Sequence, residues 1–105
     1  MFLAEQYSIE IAPAKLHEYL LNRSHPLGWS KASYFFEHGI ETVKTLQNIL
    51  LNIVSKNPIA KIIKTEFGTK YIVEGRIDEY NVSLRTVWVV LNEENVCRFV
   101  TAYPL

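Results

Sequence analysis

The hydrophobic residues change their spacing once along the chain, near Asn57-Pro58. Before this point, apolar side chains recur at the helical repeat and predict one long helix over residues 41–56. Its apolar stripe is formed by Val43, Leu46, Ile49, Leu50, Ile53 and Val54. Beyond it the spacing becomes two, which predicts four strands, at residues 60–65, 70–77, 82–91 and 96–103. The polar connections between these strands are too short for a crossover, so neighbouring strands are antiparallel.

Two shorter helices are expected before the long one. A proline at the first helical position opens a helix over residues 13–21. Ser30 is the candidate N-cap of a helix over residues 30–38, and Gly39 suits the left-handed residue that closes it. Residues 2–11 alternate only loosely and form either an edge strand or an extended arm. The predicted architecture is α+β, with about three N-terminal helices packed on one face of a four-stranded antiparallel meander sheet.

Composition limits both the size of the fold and its partners. The chain has 105 residues, of which 49% are hydrophobic, and this suits one domain over residues 1–105 with one core. Eleven basic and eleven acidic residues cancel, so any basic patch for nucleic acid must be local. One cysteine excludes an internal disulfide and a cysteine-cluster metal site. No leader-like N-terminus and no apolar run of about 18 residues is present, so a cytoplasmic protein without membrane contact is expected.

The last predicted strand carries two hydroxyl side chains close to the end of the sequence. Because residues two apart on a strand point to the same face, Thr101 and Tyr103 are expected to share a face with Cys97 and Phe99. A second polar segment, residues 24–31, lies far upstream in a loop that leads into a helix. The two segments can act together only if the fold brings them into contact.

Several short segments resemble a small bacterial family known only as a domain of unknown function. The resemblance spans from about Ala12 to the C-terminus. It is carried by Leu20-Leu21-Asn22, Ser24-His25-Pro26-Leu27-Gly28, Lys31-Ala32, Phe35-Phe36, Phe67-Gly68-Thr69-Lys70-Tyr71, Arg85-Thr86-Val87-Trp88 and Val100-Thr101-Ala102-Tyr103-Pro104-Leu105. The chain is more distantly similar to the barnase–EndoU–colicin–RelE group of ribonucleases, many of them toxins. In that group helices precede an antiparallel sheet, which often ends in a Thr-x-Tyr-Pro-like strand. The similarity implies a region of the fold for the chemistry rather than a set of catalytic side chains.

Metal-independent RNA cleavage uses the 2′-hydroxyl as nucleophile and needs groups that move protons and stabilise charge on the phosphate. His25 is the candidate proton carrier, because an imidazole exchanges protons near neutral pH. Lys31, at a helix start whose free N–H groups attract anions, and Arg85 are candidate phosphate ligands. Thr101 and Tyr103 would hydrogen-bond to the scissile group or orient His25. The side chains of His25, Lys31, Arg85 and Tyr103 are therefore expected to converge on one concave surface.

Each candidate also has a purely structural interpretation. The imidazole of His25 can lie in solvent within a turn. Arg85 can pair across strands with an acidic residue such as Glu74, and Thr101 and Tyr103 can serve only as strand residues. The other histidines, the cysteine and the tryptophans are interpreted as structural, with the tryptophans as core or interface anchors: His17, His38, Cys97, Trp29 and Trp88.

Two functions from different classes remain. The first is a metal-independent endoribonuclease or nuclease-like toxin of a bacterial toxin–antitoxin or effector system, with RNA as its partner. The second is a non-catalytic module that binds a small partner or antitoxin-type protein through a sheet edge or the aromatic cluster Tyr34-Phe35-Phe36. Neither requires a cofactor or a metal ion, and the sequence leaves the oligomeric state open.

Overall fold

The computed structural model describes residues 1–26 and 28–105, and its centre is a five-stranded sheet. The strands lie in the order β1-β5-β4-β3-β2. Their bounds are Ser8–Glu10 for β1, Ile59–Lys64 for β2, Gly68–Ile77 for β3, Val82–Leu91 for β4 and Val96–Pro104 for β5. Strands β2 to β5 form the expected antiparallel meander, which confirms the α+β class.

The expectation of a four-stranded, wholly antiparallel sheet is wrong in one respect. The short strand β1 adds a fifth strand, and it pairs parallel with β5, with Ser8 opposite Val96 and Glu10 opposite Arg98. Residues 2–11 thus contain both a short helix and an edge strand rather than an extended arm. A strand of only three residues carries almost no periodicity, which is why the sequence left this segment undecided.

Four α-helices lie within the described residues, and a short 3₁₀ helix, Asp78–Tyr80, joins β3 to β4. Helix α1 is Leu3–Gln6, α2 is Pro13–Lys15 and continues as a π-helical turn over Leu16–Leu20, α3 is Trp29–Glu37, and α4 is Val43–Lys56. The hydroxyl of Thr42 caps α4 by accepting the N–H of Thr45 at 3.1 Å. Gly39 has a φ of 81° after α3, which confirms its left-handed role.

Ser30 does not cap α3, because the helix begins one residue earlier, at Trp29, and its capping residue is Gly28. The side chain of His25 acts at this helix start instead, since its Nδ1 accepts the N–H of Gly28 at 3.1 Å. The histidine of the polar loop is thereby held against the first turn of α3.

One face of the sheet packs on the helices and forms the core, and we call it the helix-covered face. On β4 it contains Leu84, Thr86 and Trp88, all fully buried. The hydroxyl of Thr86 donates to the carbonyl of Val73 at 2.6 Å and accepts the indole N–H of Trp88 at 2.7 Å. This small network satisfies the polar groups that the core encloses at this point.

A β-bulge in β5 changes which side chains face the core. Trp88 of β4 lies opposite Phe99, but the next residue, Val87, lies opposite Thr101, so Val100 is the extra residue. Phe99 therefore faces the core, whereas Thr101 lies on the other face of the sheet, which we call the open face. The expectation that Thr101 and Tyr103 share a face with Cys97 and Phe99 is wrong, because it assumed uninterrupted alternation.

Across the part of the chain that the structure describes, no helix is both long enough and apolar enough to cross a membrane.

Candidate functional site

Lys31 lies at the centre of a small polar cluster at the free edge of β5. Its side chain reaches from α3 to Thr101, and its Nζ donates to the Thr101 hydroxyl at 3.1 Å. The same Nζ lies 4.0 Å from the centre of the Tyr103 ring. Because β1 pairs only with the first residues of β5, the strand has no neighbour here and α3 can approach its edge. We call Lys31, Thr101, Tyr103 and the neighbouring Tyr19 the Lys31 cluster.

Tyr19 closes the cluster on the side of α2. The Lys31 Nζ lies 3.5 Å from the Tyr19 hydroxyl and 5.2 Å from the centre of its ring. An ammonium group beside two aromatic rings gains cation–π attraction. Among the residues that the structure describes, no carboxylate lies within 4.0 Å of this ammonium group. The cluster therefore presents a cation with hydroxyl groups around it, which is the arrangement of an anion site.

His25 reaches the Lys31 cluster through Tyr19. Its imidazole stands edge-on to the Tyr19 ring, with 4.9 Å between the ring centres. Gly28 permits this approach, because a Cβ at that position would collide with the backbone oxygen of Tyr19. A neutral imidazole that accepts the Gly28 N–H at Nδ1 carries its proton on Nε2. In this tautomer Nε2 carries the donor proton, and Nδ1 can accept a proton only after it releases the Gly28 N–H.

Arg85 is placed next to the cluster but is already paired. It lies directly opposite Tyr103 across β4 and β5, so both side chains are on the open face. Its Nε donates to the carboxylate of Glu74 at 2.7 Å, which confirms the alternative interpretation as a cross-strand ion pair. Among the described residues the two Nη groups of Arg85 have no hydrogen-bond partner, so the guanidinium group retains donors for a ligand.

Three of the five candidate residues thus belong to the Lys31 cluster. A fourth, His25, contacts it through Tyr19, and the fifth, Arg85, lies beside Tyr103 on the neighbouring strand. Lys31, Thr101 and Tyr103 are in direct contact, and His25 joins them through Tyr19. Tyr19 was not among the predicted site residues, because its position depends on the π-helical turn of α2. Nothing in a periodicity of 3.6 marks such a turn.

The open face carries a small excess of positive charge although the chain as a whole is neutral. The strand register places five cationic side chains on it against two carboxylates, within the described strand positions. The cations are Lys61, Lys70, Arg76, Arg85 and Arg98, and the carboxylates are Glu10 and Glu74. All three arginines are ion-paired, and two of their partners, Asp78 and Glu94, come from the adjoining turns, so within the described residues the unpaired cations of this face are the two lysines. A shallow depression of about 280 Å³ lies on this face, lined by Ala60, Lys61, Ile72, Glu74 and Arg85. Once the pairing of the strands is known, the alternation of side chains along each strand predicts which charged residues share this face.

The two tryptophans have different environments. Trp88 is fully buried in the core, as expected, and packs against Phe99 with 5.3 Å between ring centres. Trp29 is 57% exposed at the start of α3, so it is not a core anchor. It lies two positions before Lys31 on the helix, which turns the two side chains to different sides of α3.

Cys97 is buried on the helix-covered face, and burial raises the pKa of its thiol to about 12. Because only the thiolate is a nucleophile, we expect the native protein not to react with a thiol reagent at pH 8. The reaction is followed by the absorbance of the released chromophore, and unfolding in guanidinium should expose one reactive thiol per chain. Rapid labelling of the folded protein would contradict this burial.

Within residues 1–26 and 28–105, no group of three or more His, Cys, Asp or Glu side chains is placed to hold a metal ion.

A sequence model of the family described as "Domain of unknown function (DUF6883)" matches residues 2–105. No curated protein and no solved structure matches the chain.

Proposed function

The chain belongs to this family of domains of unknown function, and from the geometry of the Lys31 cluster we propose that it is a metal-independent endoribonuclease of the toxin type. The observation that carries the proposal is the unneutralised ammonium group of Lys31, 3.1 Å from the Thr101 hydroxyl and 4.0 Å from the Tyr103 ring. Such a group binds a phosphate diester and stabilises the additional charge that develops on it during cleavage.

The proposed reaction is an internal transesterification. The 2′-oxygen forms a bond to phosphorus while the bond to the 5′-oxygen breaks, which leaves a 2′,3′-cyclic phosphate and a 5′-hydroxyl end. Lys31 stabilises the non-bridging oxygens, and the Thr101 hydroxyl and the Nε2–H of His25 donate further hydrogen bonds. The Tyr103 hydroxyl gives its proton to the departing 5′-oxygen, and the proton of the 2′-hydroxyl passes through water to restore the Tyr103 hydroxyl. A hydroxyl group suits this relay because it both donates and accepts.

The unpaired lysines of the open face and the free Nη groups of Arg85 support RNA as the substrate. Protein contacts to a nucleic acid backbone are mainly electrostatic, and a neutral chain needs a local surface of one sign. Arg85 and Lys61 extend such a surface from the Lys31 cluster across the sheet, towards the shallow depression that they help to line. The proposal places the chain in the cytoplasm, where RNA is available.

The proposal is tested with the purified chain and a single-stranded RNA oligonucleotide in the presence of a metal chelator. We expect cleavage that leaves 2′,3′-cyclic phosphate ends, visible by gel electrophoresis and mass spectrometry. An oligonucleotide with a 2′-deoxy sugar at the cleaved position should stay intact, because the nucleophile is missing. His25→Ala should lower the cleavage rate by about tenfold or more, since it removes one donor to the phosphate.

His17→Ala is the matched control, because His17 is an exposed histidine on α2. It should cleave like the wild type. In cells, expression of the wild-type chain should slow growth and degrade RNA, and His25→Ala should relieve both effects. Intact RNA with the folded wild-type protein, in the test tube and in cells, would refute the proposal.

A further inference from the structure

Strand β2 forms the second edge of the sheet, opposite the end that carries β1. The first residue of β2 is already hydrogen-bonded on its outer side, because the N–H of Ile59 donates to the carbonyl of Met1 at 2.9 Å. A bulge follows between Ile59 and Lys61. At the turn between β2 and β3, the N–H of Thr65 donates to the carbonyl of Gly68, so the backbone groups of Thr65 face β3. Because successive residues of an antiparallel strand alternate, the N–H and C=O groups of Ile62 and Lys64 point away from β3. The segment from Lys61 to Lys64 thus presents backbone donors and acceptors to solvent.

The side chains at this edge are more apolar than a solvent-facing edge requires. Ile62 is 51% exposed and Ile63 is 38% exposed, and they point to opposite faces of the sheet. Beside them lies a depression of about 430 Å³ lined by Met1, Ile59, Ala60, Lys61 and Ile62. An added strand would therefore cover apolar surface on both sides as well as complete hydrogen bonds.

The charge of this edge indicates what can lie there. Residues 59–73 contain three lysines, Lys61, Lys64 and Lys70, and one acidic residue, Glu66. Within the described part of the chain, no carboxylate lies within 4.0 Å of any of the three lysines. Lysines on an edge strand disfavour pairing with an identical edge, so a second copy of this chain is a poor occupant. A segment with carboxylates complements the same lysines.

We propose that the outer edge of β2 binds an extended acidic segment of a partner protein, which adds a sixth strand to the sheet. Its backbone pairs with Ile62 and Lys64, its apolar side chains cover Ile62 and Ile63, and its carboxylates approach Lys61 and Lys64. This edge lies at the opposite end of the sheet from the Lys31 cluster. It shares Lys61 with the surface proposed for RNA, but the backbone groups of Ile62 and Lys64 that would pair with the peptide take no part in RNA cleavage.

The proposal is tested by calorimetric titration of the full chain with two short capped valine peptides. One carries two glutamates three residues apart, the spacing of Lys61 and Lys64 on β2, and the other carries lysines at the same two positions. The glutamate peptide should bind about tenfold more tightly or better, because two exposed charge pairs are gained. The double variant Lys61→Glu/Lys64→Glu should reverse this preference. Equal binding of the two peptides by the wild type, or binding of neither, would overturn the proposal.

The variant Ile62→Pro tests whether the peptide pairs with the backbone of the β2 edge or is attracted by surface charge alone. It removes one outward N–H and keeps the inner ladder to β3, so circular dichroism should match the wild type. This folded variant should lose binding of the glutamate peptide and still cleave RNA at the wild-type rate. If sedimentation shows a wild-type dimer that Ile62→Pro abolishes, the edge is occupied by a second copy and the proposal is wrong.

Discussion

Replacing Lys31 with methionine is expected to lower kcat for RNA cleavage by about 10²-fold to 10³-fold, because it removes the charged donor from the phosphate. Methionine keeps most of the length of the side chain, so contact with the rings of Tyr19 and Tyr103 is retained. Circular dichroism and thermal unfolding should therefore match the wild type within a few degrees. The rate is measured with the single-stranded oligonucleotide at saturating concentration.

Lys15→Met is the matched control for this substitution. Lys15 also reaches β5 from the N-terminal helices, and its Nζ donates to the carbonyl of Val100 at 3.4 Å. It is exposed and contacts none of the hydroxyl groups of the Lys31 cluster, so its replacement should leave kcat within about twofold of the wild type. If kcat fell equally in the two variants, the effect of Lys31 would come from the overall charge of the protein, and Lys31 would not be a catalytic residue.

Thr86→Val is expected to reduce the free energy of unfolding by about 1–3 kcal/mol, the largest loss of stability that one polar group in the described core should cause. The two side chains have nearly the same shape, so packing is retained. The indole N–H of Trp88 loses its partner, and the carbonyl of Val73 loses a donor. Urea denaturation followed by the fluorescence of Trp88 measures the change.

Thr86→Ser distinguishes hydrogen bonding from packing at this position. Serine keeps the hydroxyl and leaves a small cavity, whereas valine fills the volume and leaves the polar groups unsatisfied. If hydrogen bonding dominates, the valine variant is the less stable of the two. The opposite order would show that the Thr86 methyl group, and not its hydroxyl, stabilises the core.

Strong periodicity made most of this fold predictable, and short or irregular segments did not. The stripe of α4 and the alternation of β3 and β4 extend over ten residues or more, and all three elements lie close to where they were expected. Strand β1, the π-helical turn of α2 and the bulge at Val100 are each decided by tertiary contacts. Residue spacing contains no signal for such contacts.

The candidate site follows the same division. The contact between Lys31 and the terminal hydroxyls lies between segments 70 residues apart, and it was expected from chemistry rather than from pattern. Its place on the open face was not expected, since the bulge decides it. The pairing of Arg85 with Glu74 was foreseen as an alternative, because opposite charges on neighbouring strands attract each other.

The bulge also determines how relatives of this chain should be aligned. Because Val100 is the extra residue, a strand that lacked it would still direct Phe99 to the core and Thr101 outward by simple alternation. A one-residue gap opposite Val100 is therefore compatible with the same surface chemistry. A one-residue gap after Thr101 would instead turn Tyr103 towards the helices. The position of an indel, more than the identity of neighbouring residues, should separate homologues that keep this hydroxyl pair on the surface from those that bury it.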